Sequence, residues 1–199
     1  MIHIYQKGTN DKTLLLLHGT GGDEYDLLKI GKIIDDQANI LSVRGNVKEG
    51  GMNRFFKRLR PGVFDLEDLE KRTIELYDLL DEASIKYGFD RNKVIAIGYS
   101  NRANITASIL CTIKDALAGA ILLRPIVPRR DRPLVVNDHT KVFIASGIHD
   151  NICPPQEAKD LLDYLQPNNK EVRLEWIDSD HRLTYDELLV IKDWYKHNF

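Results

Sequence analysis

The stretch KVIAIGYSNRANITASILC, residues 93–111, decides how the rest of the chain is read. Lys93 to Gly98 is a bounded apolar run of strand length. It is continuously hydrophobic rather than alternating, as expected for a parallel strand covered on both faces. Asn101 to Cys111 reads as a helix, and Ser100 stands at the join. Gly98-Tyr99-Ser100 fills the first three places of G-x-S-x-G, a pattern that sets a serine on a sharp strand-to-helix turn. The fifth place holds Arg102 instead of glycine.

Outward from this unit the pattern repeats. Thr13 to His18, Ala38 to Val43, Ala118 to Leu123, Lys141 to Ser146 and Val172 to Ile177 are further apolar runs of strand length. Helical spacing fills much of the space between them. Leu66, Leu69, Thr73, Leu76, Leu80, Ala83 and Tyr87 recur at three and four residues, with Asp65 placed to cap them. Ala158, Leu161, Leu162 and Leu165 follow Pro154-Pro155, which suit a first helical turn. Thr184 to Glu187 has the form of a capping box opening a last helix. Alternating strand and helix predict an α/β fold with a mainly parallel sheet flanked by helices. The expectation is a single domain over 1–199, with no large cap domain and no internal repeat.

The totals narrow the function. With 199 residues, 43% hydrophobic and 29% charged, the composition is that of an ordinary globular protein. A net charge of -2 offers no global attraction to nucleic acid or to an anionic membrane. Cys111 and Cys153, the only cysteines, lack zinc-type spacing and read as free thiols of a reducing compartment. The first residues do not form a signal peptide, and no apolar run is long enough to span a bilayer. A cytoplasmic location is therefore expected.

Open α/β sheets bind ligands beyond the carboxyl ends of their strands. The segments found there include His18 to Gly22, Arg44-Gly45, Tyr99 to Asn101, Arg124-Pro125, Gly147 to Asp150 and Asp178 to His181. They contain a serine, a carboxylate and a histidine in the chain order a Ser-Asp-His triad takes on such a fold. A serine hydroxyl needs a histidine to take its proton, and the histidine needs a carboxylate to fix its tautomer. His181 fits as base, because His139 lies before a strand, His149 adjoins the acid and His197 sits on the last helix. Asp150 fits as acid, with Asp178 and Asp180 as the alternatives. The glycine-rich turn after the first apolar run can present backbone N–H groups to an oxyanion. By position, the donors are the N–H groups of Thr20 and Asn101. That turn lacks the lysine and spacing of a phosphate loop.

Arg102 leaves the elbow open to two readings. Its stem packs and its guanidinium leaves toward solvent, a carboxylate or a substrate anion, or its Cβ crowds the next strand and Gly119 makes room.

In combination the segments resemble the phospholipase/carboxylesterase family of the α/β-hydrolase superfamily, and in particular its small bacterial carboxylesterases. The resemblance rests on HGTGGDE (His18 to Glu24), SVRGNVKEGGMNRFFKRLRPGVFDLEDL (Ser42 to Leu69) and GYSNRAN (Gly98 to Asn104). SGIHDNICPP (Ser146 to Pro155) and DSDHRLTYDEL (Asp178 to Leu188) complete it. It implies Ser100 as nucleophile, Asp150 as acid, His181 as base and Thr20 and Asn101 as oxyanion donors. It also implies hydrolysis of carboxylic or thio esters with no cofactor and no metal. Arg102 departs from the family's usual glycine, which keeps a catalytically silent binding protein on the same scaffold in contention. Thioesterase, lysophospholipase and acyltransferase activity are nearer variants.

Residues 44–64 form a long connection. Phe55 and Phe56 either wall a substrate pocket, with Arg44 and Arg102 among its polar contributors, or close the core. Arg124 to Asp138 is a second candidate wall. The expected partner is a small or medium ester, with a homodimer left open.

Overall fold

The computed structural model describes residues 1–60, 62–131, 135, 139–169 and 171–199, with backbone alone at 101 and 102. The chain runs β1 (His3–Gln6), β2 (Thr13–Leu17), α1 (Leu28–Ile34) and β3 (Asn39–Val43), then four short strands. These are β4 (Val47–Glu49), β5 (Met52–Arg54), β6 (Arg58–Arg60) and β7 (Val63–Phe64). Then come α2 (Leu66–Tyr87), β8 (Val94–Tyr99), α3 (Asn101–Thr112), β9 (Gly119–Leu123), β10 (Lys141–Gly147), α4 (Pro155–Leu165), β11 (Val172–Ile177) and α5 (Tyr185–Asn198).

Seven strands form one sheet in the order β1-β3-β2-β8-β9-β10-β11. All neighbours pair parallel except β1, which runs antiparallel along β3 with His3 opposite Val43. The continuous hydrophobic runs follow from coverage of both faces. Leu15, Leu17, Ala96, Leu122 and Ile144 face a core shared with Leu69, Leu76 and Leu80 of α2, Ile105 of α3 and Leu161 of α4. Leu14, Leu16, Ile97, Ile121 and Phe143 face a second core with Ile34 of α1 and Leu188, Ile191 and Trp194 of α5. The period of two survives, but both of its faces are apolar.

The helix ends obey local chemistry. Asp65 accepts a hydrogen bond from the Asp68 N–H at the start of α2, and Gly88 closes that helix in the left-handed conformation at φ 71°. The Thr184–Glu187 capping box of α5 is complete, with both reciprocal bonds formed.

The structure decides three points that the sequence left open. The connection at 44–64 contains two hairpins, β4–β5 and β6–β7, the first turning through Gly50 and Gly51 at φ 56° and 81°. Of the two readings of Phe55 and Phe56, between the hairpins, the core one holds: both are wholly buried in the first core, and neither lines the cavity beside Ser100. Gly119 does not make room for Arg102. It lies at the opposite, amino end of β9, where an added Cβ would strike the Phe199 ring and come within 3.1 Å of the Lys141 carbonyl.

Replacing Asp65 by alanine removes the α2 cap. Stability should fall by about 1 kcal/mol in a urea titration, and an unchanged midpoint would show that the cap contributes nothing.

Candidate active site

The site is built at the carboxyl ends of β2, β8, β10 and β11. Ser100 follows β8 directly and adopts φ 59°, ψ -127°, a backbone conformation that few residues other than glycine take. Two backbone bonds hold it there. Its N–H donates to the Leu123 carbonyl at 2.7 Å, and its own carbonyl accepts from the Ala103 N–H at 2.9 Å. The strained turn lifts the hydroxyl off the end of the strand, as the G-x-S pattern requires.

Asp150 and His181 meet it from two other loops. His181 Nδ1 lies 2.7 Å from Asp150 Oδ2, and His181 Nε2 lies 3.1 Å from Ser100 Oγ. Asp150 is 3% exposed, and its other oxygen accepts the N–H groups of Ile152 and Cys153 at 2.8 and 2.9 Å. A carboxylate only accepts, so Nδ1 carries the proton and Nε2 presents its lone pair to the serine hydroxyl. The alternative acids are engaged elsewhere: Asp178 with His149 at 3.0 Å, and Asp180 with the Arg182 guanidinium.

Residues to which the sequence assigned no role position this set. The Tyr99 hydroxyl donates to the His181 carbonyl at 2.9 Å, and the two rings lie 5.3 Å apart. Buried His18 donates from Nδ1 to the Gly19 carbonyl at 2.7 Å and accepts the Gly45 N–H on Nε2 at 3.1 Å. Asn53 braces the same glycine turn. Its carbonyl accepts the Gly21 N–H at 3.2 Å, and its side-chain amide donates to the Gly22 carbonyl at 2.7 Å. Gly21 turns the loop at φ 82°, a conformation that excludes most side chains.

Thr20 borders a cavity of about 570 Å³ together with Ser100 and His181. Leu27, Ile30, Tyr99, Ile152 and Leu183 give the cavity apolar walls, and Asp26 and Arg182 add one charge of each sign. Asn101 opens α3 beside it, and its backbone N–H belongs to the first helical turn. Arg44 does not line the cavity: its guanidinium is held by Glu24 in a two-point pair, 2.5 and 2.8 Å. That hydrogen-bonded pair holds the Glu24 carboxyl below the usual carboxylate range. The side chain of Arg102 lies outside the described residues. The described part of the second candidate wall, Arg124 to Asp131 with Val135, contributes no residue to this cavity, and 132–134 and 136–138 lie outside the described residues.

Asp150, Cys153 and His181 each offer a donor atom, all within 4.8 Å of one another. Two features oppose a cation there. The Arg124 guanidinium stands 4.0 Å from Asp150 Oδ2, and burial, reinforced by the Asp150 charge, pushes the Cys153 thiol up to about 12.

The sheet order, the turn at Ser100 and the three converging loops define an α/β-hydrolase fold. Residues 4–198 match the family model described as Phospholipase/Carboxylesterase. The chain belongs to that family. It is 50% identical to "Putative hydrolase MhqD" of Bacillus subtilis (strain 168), over 98% of each chain. The crystal structure of the Bacillus cereus carboxylesterase superposes with a TM-score of 0.96 at 50% identity, covering 99% of this chain and 94% of that one. A carboxylesterase from Mesorhizobium loti gives 0.89 at 26% identity, covering 95% and 90%. Among the described residues no helix is long and apolar enough to cross a membrane.

Two outcomes follow from this packing. A Cβ at Gly147 would come within 2.6 Å of the Ser179 carbonyl and closer still to that of Asp180. Gly147→Ala should therefore cost about 1–3 kcal/mol in a denaturant titration, and parental stability would mean the histidine loop yields freely. Cys153, buried and protonated, should alkylate with iodoacetamide at pH 8 far more slowly in the native protein than in the unfolded chain. Equal rates by mass spectrometry would contradict its burial.

Proposed function

We propose that the protein is a serine hydrolase that cleaves carboxylic esters of small or medium size through an acyl-enzyme. The observation that carries this reading is the continuous relay Ser100 Oγ–His181 Nε2–Asp150, with contacts of 3.1 and 2.7 Å, set on a strained backbone at Ser100.

In the first half-reaction Ser100 Oγ attacks the ester carbonyl carbon while its proton passes to His181 Nε2. Asp150 stabilises the imidazolium without taking the proton itself. The negative charge on the former carbonyl oxygen is met by the backbone N–H groups of Thr20 and Asn101. As the intermediate collapses, the C–O bond to the alcohol breaks and Nε2 returns its proton to the departing oxygen. In the second half-reaction water attacks the acyl carbon and gives a proton to the same nitrogen. The carboxylic acid leaves, and the proton returns to Ser100.

The cavity volume and its aliphatic walls favour short acyl or alcohol groups. Thio esters suit the same chemistry, and a panel pairing oxygen and sulfur esters of equal acyl length ranks the two.

Incubation with a fluorophosphonate probe and with p-nitrophenyl acetate tests the proposal. One probe molecule should attach per chain, at Ser100, and both labelling and turnover should disappear in Ser100→Ala. Asp150→Asn should lower kcat by about 10⁴-fold while the protein stays folded. A folded parent that neither labels nor turns over is a binding protein on a hydrolase scaffold, and the proposal is then wrong.

A further inference from the structure

Arg124 is fully buried and is among the largest side chains with no exposed surface. It stands one residue beyond β9, at φ 55°, with its N–H donating to the Ala145 carbonyl at 2.8 Å. From there the side chain crosses the end of β10 to the loop that carries His181. Nε donates to the Asp180 carbonyl at 3.2 Å, and Nη2 donates to the Arg182 carbonyl at 3.0 Å and to Ser179 Oγ at 2.9 Å. Nη1 and Nη2 hold the two oxygens of Glu187 at 2.6 and 2.8 Å, and Nη1 also reaches the Ala145 carbonyl at 3.4 Å. The loop is therefore gripped on both sides of His181, through the carbonyls of its two neighbours.

A left-handed backbone and a buried cation are both costly, and neither is needed to build the sheet. A planar five-donor fork is the one side chain that satisfies a carboxylate and several carbonyls together. Glu187 neutralises it, and Asp150 Oδ2 lies a further 4.0 Å from Nε. The guanidinium thus touches the acid's surroundings and the base's loop, and it does not itself line the cavity.

We propose that Arg124, with Glu187 as its counter-ion, is a positioning residue: it fixes the 179–182 loop so that the His181 imidazole stays between Asp150 and Ser100. This rests on the serine-hydrolase reading for its effect on turnover, but not for its effect on the His181–Asp150 hydrogen bond.

The test uses the full chain as Arg124→Met/Glu187→Gln, which removes both charges together, and as Arg124→Lys, which keeps a cation opposite Glu187 but loses the fork. Both are read by ester kinetics and by the far-downfield NMR resonance of the imidazole N–H shared with Asp150. In each folded variant kcat should fall about 10²-fold, the scale of a displaced reacting group. KM should stay within about twofold, and the downfield resonance should be lost or broadened. If the double variant does not fold, Arg124→Lys carries the same readings. Retention of kcat and of the resonance in a folded variant overturns the inference, as does a change confined to KM. If the parent shows no Ser100-dependent turnover, the hydrolase reading fails, while the resonance still decides whether Arg124 holds the imidazole.

Discussion

The hydrogen bond from the Ser100 N–H to the Leu123 carbonyl, 2.7 Å, extends the β8–β9 ladder one step beyond the end of β8. It obliges the chain to turn where it does. One strand further along, the Arg124 N–H meets the Ala145 carbonyl at 2.8 Å in the same manner. Together these bonds fix the carboxyl ends of β8, β9 and β10 relative to one another. Ser100 and Arg124 both adopt left-handed φ values at those ends. The cost is met by strands buried on both faces, whose register cannot slip without moving every side chain to the wrong layer.

Upon that frame the polar groups of the site are satisfied in a chain of dependence. Asp150 uses one oxygen for two backbone N–H groups of its own loop and the other for His181. The imidazole is left with a single free acceptor, directed at Ser100. Gly147 lets the end of β10 approach the histidine loop more closely than any side chain permits. His18 and Asn53 do for the glycine turn what Tyr99 and Arg124 do for the histidine loop, tying carbonyls so that the backbone is presented in one arrangement. These second contacts hold three separate connections together as one site.

Much of this was legible in the chain. The six apolar runs declared their strands because burial on both faces leaves no polar positions to confuse the pattern, and the caps at Asp65 and Thr184 use local chemistry. The order of Ser100, Asp150 and His181, each just past a strand, exposed their common edge. What stayed hidden depends on distant partners. β1 is a short, half-buried edge strand whose four residues gain meaning only beside β3. The hairpins at 47–64 have strands of two or three residues, too short for a period to show. Phe55 and Phe56 could be core or pocket until the fold chose. Gly119 is near Arg102 in strand order alone, for it lies at the amino end of β9 while Arg102 stands beyond the carboxyl end of β8. Arg124 stands at a strand's carboxyl end in the sequence, but in a basic segment with no partner in view. Only the fold brings Glu187 and the loop around His181 to it.

The account's central claim is that one reacting centre sits among Ser100 Oγ, His181 Nε2 and the backbone N–H groups of Thr20 and Asn101. A crystal structure of the protein with a small alkylboronic acid, a mimic of the tetrahedral intermediate, tests it most directly. The account predicts a covalent bond from Ser100 Oγ to boron, one boronate oxygen accepting from both N–H groups, and the alkyl chain against Leu27 and Ile30. A boronate that bonds elsewhere, or whose oxygens meet neither donor while His181 turns away, would contradict it.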